Sequence, residues 1–191
     1  MFLTPSYYYK TDSSFSPLEF AYQLSCFLKH KHVPLLFLCI GSDRITGDCL
    51  GPLTGYKLST LNLPNCRILG TLDYPVHAGN LEETQKLIQT HYKEYTVIAI
   101  DASFGSPRHV NCLSLKAKPL SPGLGVCKDL PPTGDYSITG IVSADTDFPY
   151  LTLQQIKLSQ IMHLADCICD GILRYIQFRE NTLHFSKNTV Y

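Results

Sequence analysis

The stretch PLLFLCI, residues 34–40, is apolar at every position, the pattern of a strand covered on both faces. Further strands are predicted at 66–71 (CRILGT), 95–101 (YTVIAID), 110–117 (VNCLSLKA) and 137–143 (SITGIVS). Helical patterns lie between and around them. Residues 16–32 open with Ser16 as N-cap, Pro17 in the first turn and Glu19 closing a capping box. A helix follows around 50–62, and another over 80–93 starts with Asn80 as N-cap and Glu83 at the capping-box position. From 151 to 178 the spacing predicts one long helix, with Ile156, Ile161, Leu164, Ile168 and Ile172 near one stripe.

Two regions carry no such pattern. Residues 1–15 are rich in Tyr and Ser and read as loosely held, and the last dozen residues are polar and read as frayed. Residues 118–136 hold four prolines and three glycines in nineteen positions, and loops this long in compact domains are often functional. No internal repeat or linker interrupts 1–191, so a single domain is expected, with its ordered core at about 16–178. Strands alternating with helices predict a three-layer α/β/α fold around a mostly parallel sheet. Ligands in such folds bind outside the carboxyl ends of the strands. That rule directs attention to IGSDRITGDCLGP, residues 40–52, which leaves the end of the first predicted strand.

Composition narrows the function classes. Sixteen Lys and Arg balance sixteen Asp and Glu, with no basic run, which argues against nucleic-acid and membrane-surface partners. The run VPLLFLCIG is too short to span a bilayer, and the N-terminus lacks the basic and apolar regions of a signal peptide. A cytoplasmic protein is expected. The eight cysteines, at 26, 39, 49, 66, 112, 127, 167 and 169, include no C-x-x-C pair and sit mostly in apolar elements. They read as free, buried thiols rather than a zinc site or a disulfide framework.

Two carboxylates stand at matching places, Asp48 after the first strand and Asp101 at the end of YTVIAID. Two carboxylates brought close cannot both ionise cheaply, so one holds a proton while the other activates water. The same pair can instead hold a divalent metal through oxygen ligands. Each aspartate also has a plain reading as a helix cap. Gly41, Gly47 and Gly51 superficially resemble a phosphate loop, but their spacing fits neither dinucleotide nor P-loop motifs.

Four motifs in order, IGSDRITGDCLGP, GTLDYPVHAGNLEE, VIAIDASFG and PLSPGLGVCKDLPPTGDYSITGIV, resemble the YyaC-type sporulation proteins, described as candidate spore proteases. The resemblance covers about residues 33–175. That family is similar in turn to the germination proteases and the hydrogenase-maturation endopeptidases, which implies a phosphorylase/hydrolase-like α/β fold. The germination-protease loop resembles TGDCLGP, and the resemblance implies functional aspartates at Asp48 and Asp101. The hydrogenase endopeptidases keep a metal-contacting carboxylate at each of these places and add a histidine after the second. Here His109 follows Asp101 too soon, and His163 and His184 lie in or beyond the last helix. His77, in DYPVHAG after the second strand, is the histidine that topology places at the crevice, and it is expected to wall it together with the 118–136 loop.

The glycines of the 41–51 loop are expected to bring backbone near a substrate. Gly41, Ser42, Asp43 and Arg44 are then its substrate-facing side, although Asp43 and Arg44 equally fit a surface ion pair. Cys49 beside Asp48 invites a thiol-protease reading with His77, but an activated thiolate needs a cationic neighbour. The reading that results is a sporulation-associated peptidase acting on a peptide or protein through Asp48 and Asp101, with His77 beside them, in the forespore cytoplasm. The alternative is a non-catalytic sporulation binding protein on the same fold.

Overall fold

The computed structural model describes residues 6–28, 33–122 and 131–187. Six strands form one sheet: β1 (Ser6–Lys10), β2 (Leu35–Cys39), β3 (Cys66–Leu69), β4 (Thr96–Gly105), β5 (Cys112–Lys116) and β6 (Tyr136–Ala144). Their order is β1-β5-β6-β4-β2-β3. The four strands β6, β4, β2 and β3 run parallel, while β5 is antiparallel to both β6 and β1. Five α-helices are present among the described residues: α1 (Pro17–Leu28), α2 (Leu50–Ser59), α3 (Leu81–His91), α4 (Pro149–Gln155) and α5 (Leu158–Lys187).

Strand alternation divides the core between the two sheet faces. Leu35, Phe37, Cys39, Ile98 and Ile100 point to the face covered by α1, α2 and α5, where Phe20, Leu24, Leu164 and Ile168 are fully buried. Leu36, Leu38, Val97 and Ala99 point to the other face and meet Leu81 of α3. All five β2 residues are buried, as an apolar run between two helical layers requires. The fold is the expected three-layer α/β/α.

Three local expectations about these elements change. Residues 6–10, read as loosely held, form the edge strand β1, which satisfies the outer edge of β5 from Ser6↔Lys116 to Lys10↔Cys112. Its tyrosines suit a pleated surface: Tyr9 packs edge-on against Phe20 at 5.3 Å and Tyr8 stacks on His109 at 3.9 Å. The long C-terminal helix is broken at Ile156, whose extended backbone (φ −64, ψ 134) separates α4 from α5. Apolar spacing continues across that break, so periodicity alone does not reveal it. Ser16 caps α1, its Oγ accepting from the Glu19 amide at 3.2 Å. Asn80, by contrast, makes no side-chain cap to α3. Its amide is spent on the preceding loop, Oδ1 accepting from the His77 N–H at 2.8 Å and Nδ2 donating to the Pro75 carbonyl at 3.1 Å.

The described flanks of the 118–136 loop pair with each other through Leu120 and Thr133. Asp135 then exchanges bonds with Val97, its N–H donating to the Val97 carbonyl and its Oδ2 accepting from the Val97 amide, both at 2.8 Å. Val97 lies four residues before Asp101, about 13 Å along the strand. These flanks therefore brace the starting end of β4 and touch α3, where Gln85 Nε2 donates to Thr133 Oγ1. They do not wall the crevice with His77; residues 123–130 lie outside the described residues.

Candidate functional site

The loop that follows β2 is held shut by its backbone. Ile40 N–H donates to the Ile100 carbonyl at 2.7 Å, Gly41 N–H to Val76 at 2.8 Å, and Ser42 N–H to the Asp48 carbonyl at 3.1 Å. A single 3-10 turn over Thr46–Asp48 then leads through Cys49 into α2. The closure requires glycine at two places. Gly41 has φ +141, and a Cβ there would sit 2.0 Å from the Asp48 carbonyl oxygen. A Cβ on Gly51 would sit 2.0 Å from the Ile40 carbonyl oxygen. These glycines let the chain pack on itself where the loop closes.

Neither aspartate is a cap. The N-cap position of α2 is Cys49, with no side-chain cap bond. Asp101 lies inside β4 rather than at its end, in register with Thr139 of β6, and the strand continues to Gly105. β2 gives way to the Gly41 loop one residue after the Ile40–Ile100 bond, so Asp101 stands where its neighbour strand has already ended. Its Oδ1 accepts from the Ala102 amide at 2.8 Å.

Both carboxyls resist ionisation. Burial pushes Asp48 up to about 6, against a smaller opposing pull from the Ser42 amide. Asp101, 8% exposed, is raised well above the usual carboxylate range by burial first and then by the charge of Asp48, opposed by its bond from Ala102. The structure thus brings the two within electrostatic reach. Burial disfavours the charge on each carboxyl, and the mutual repulsion makes it costly to ionise both together.

The remaining candidates are placed differently. His77 is exposed, and its Nδ1 accepts from the Gly79 amide at 3.1 Å. Its loop does adjoin the aspartate loop, through the Gly41–Val76 bond. The ring instead lines a cavity of about 650 Å³ against β3 and α3, with Asp73, Tyr74, Pro75 and Glu83. Neither that cavity nor a second of about 340 Å³ beside Pro131 and Gln85 is lined by Asp48 or Asp101. Asp43 and Arg44 are exposed and form no ion pair with each other; Ser42 Oγ accepts from the Arg44 amide at 3.2 Å. Cys49 is buried, and burial together with the charges of Asp43 and Asp48 pushes its thiol up, the reverse of an activated nucleophile. The seven described cysteines are all free.

The metal implied by the hydrogenase-endopeptidase resemblance does not fit this donor set. Two raised carboxyls, one with an oxygen already bonded to a backbone amide, are joined by no third His, Cys, Asp or Glu among the described residues. A cation coordinated chiefly by side chains, as the hydrogenase-endopeptidase set implies, needs more oxygen or nitrogen than that, and one held by two carboxylates would take the rest of its shell from water or substrate.

Sequence reading missed two residues beside Asp101. Thr139 of β6 pairs with Asp101, and Ser114 of β5 pairs with Thr139. Polar residues inside otherwise apolar strands, in NCLSLK and YSITGI, were the available signal.

Residues 7–171 match the family model described as Protein of unknown function (DUF1256). The chain is also 41% identical over 139 residues to the "Uncharacterized protein YyaC" of Bacillus subtilis (strain 168). That similarity covers 73% of this chain and 68% of the relative.

Proposed function

We propose that this chain, which belongs to the DUF1256 family, is a hydrolase that cleaves a peptide bond with Asp48 and Asp101 sharing one proton. The observation that carries the reading is Asp101 itself: a carboxyl held inside a buried strand, with the Asp48 charge beside it. A buried carboxyl costs stability, and such costs concentrate at functional sites.

The chemistry follows from the two environments. Asp48, ionised at pH 7, takes a proton from a water whose oxygen bonds to the scissile carbonyl carbon, while Asp101 gives its proton to the carbonyl oxygen. On collapse Asp48 returns its proton to the departing nitrogen and Asp101 recovers one from the tetrahedral hydroxyl. The pair ends as it began. The cavity against β3, joined to the Asp48 loop by the Gly41–Val76 bond, supports an extended peptide whose flanking residues lie along Tyr74 and His77. A sporulation role and a forespore setting belong to the same proposal and rest on the resemblance.

The test is a defined peptide library incubated with wild type, Asp48→Asn and Asp101→Asn, read by mass spectrometry from pH 5 to 9 without added metal. Cleavage is expected in wild type alone, falling as pH drops through about 6, where Asp48 becomes protonated. A wild-type protein inert throughout overturns the hydrolase reading. One observation favours a second reading, a binding protein without catalysis: the His77 cavity lies apart from the aspartates. That reading expects peptides to bind without being cut, and to bind equally well to Asp101→Asn.

A further inference from the structure

Ser114, Thr139 and Asp101 form a polar row across three neighbouring strands. Registers Asp101↔Thr139 and Thr139↔Ser114 align the three side by side on β4, β6 and β5. Residues directly paired across a sheet project to the same face, with Cβ atoms about 5 Å apart. Asp101 follows Val97 and Ala99 in the strand alternation, so all three project to the α3 face. Ser114 is 0% exposed and Thr139 is 3% exposed, yet Ser114 Oγ and Thr139 Oγ1 have no hydrogen-bond partner among the described residues. The Asp101 carboxyl beside them has one oxygen, Oδ1, taken by Ala102.

Buried hydroxyls left unpaired are rare and costly, and two adjacent ones call for a physical reason. Valine in place of Thr139, or alanine in place of Ser114, would avoid the cost without changing the strand. A hydroxyl differs from those side chains only in what it can donate and accept, and here the nearest acceptor by register is the carboxyl of Asp101.

We propose that Thr139 is a positioning residue for Asp101, its hydroxyl hydrogen-bonded to Oδ2 in the working protein, accepting from Oδ2–H when Asp101 is protonated and donating when it is not, with Ser114 hydrogen-bonded to Thr139 behind it. Paired side chains on neighbouring strands, with Cβ atoms about 5 Å apart, are within reach of such bonds. The chain of hydroxyls aims Asp101 toward Asp48 and polarises progressively along the row. The role in catalysis rests on the hydrolase reading, but the row itself is tested without substrate.

The experiment is a double-mutant cycle in thermal stability on the full-length chain, with Thr139→Val, Asp101→Ala and the pair, and Thr139→Ser and Ser114→Ala alongside. If Thr139 serves Asp101, Thr139→Val lowers Tm by about 2 °C or more when Asp101 is present and raises it in the Asp101→Ala background. Thr139→Ser, which keeps the hydroxyl, recovers most of the loss, and Ser114→Ala lowers Tm by less. A Tm that rises in Thr139→Val with Asp101 present overturns the proposal, because the hydroxyl is then an orphan. An equal shift in both backgrounds overturns it too, because packing alone explains that result. Should wild type cleave peptides, Thr139→Val lowers kcat with KM held. Should it cleave none, the hydrolase reading falls and the cycle still decides the row.

Discussion

Strands β2 and β4 are hydrogen-bonded neighbours that share register from Leu35↔Thr96 to Cys39↔Ile100, and over that length they behave alike. Both present apolar side chains to two helical layers. One residue later they part. β2 stops at a glycine loop that carries Asp48, while β4 continues and buries Asp101 beside Thr139. The first region is what burial selects for; the second is what burial penalises. Side by side, they separate residues that the fold rewards from residues that the proposed chemistry would explain.

The largest expected effect breaks the apolar side of this comparison. Phe37, fully buried in β2, should cost about 3–5 kcal/mol on truncation to alanine. Denaturant unfolding monitored by circular dichroism measures it, and any activity should be lost only in step with the folded fraction. A cost below about 1 kcal/mol would mean that β2 is not the packed strand described here.

Asp101→Asn tests the other side. The amide keeps the volume and removes a carboxyl that burial disfavours, so Tm should hold or rise while kcat/KM on a cleaved peptide falls about 10²- to 10⁴-fold. A large loss of stability with activity retained would reverse the assignment of the two strands.

The pH dependence of stability sharpens the contrast within the pair. Asp48 is held at about 6 when folded, above its unfolded value of about 4. Between these two values the unfolded chain has released a proton that the folded chain still holds, so stability should fall as pH rises from about 4 to about 6 and this contribution level off above it. Melting curves across that window measure the slope, and Asp48→Asn should flatten it. A slope of opposite sign would show Asp48 stabilised as a carboxylate, contrary to its burial.

Cys49→Ala is the smallest change. Its thiol is pushed up by burial and by Asp43 and Asp48, so peptide cleavage should stay within about twofold of wild type. A complete loss would make the thiol a participant and displace the aspartates.

Apolar patterning by itself determined the order of β2 to β6, the helices α1, α2 and α3, and the layered architecture, because runs of buried side chains can be satisfied in few ways. The motif TGDCLGP and the aspartate of VIAID marked Asp48 and Asp101 before any coordinates, since carboxylates amid apolar neighbours stand out in one dimension. Ser114 and Thr139 did not stand out: twenty-odd residues separate them in the chain, and only strand register sets them in line with Asp101. The fate of His77 was likewise a tertiary matter, since a loop histidine at the right sheet edge turned to the β3 cavity. So was β1, whose tyrosines acquire a partner only when β5 leaves an edge open. Burial propensity is local and can be read along a chain; which polar groups meet depends on register and on the spatial order of strands, and those arise only when the sheet closes.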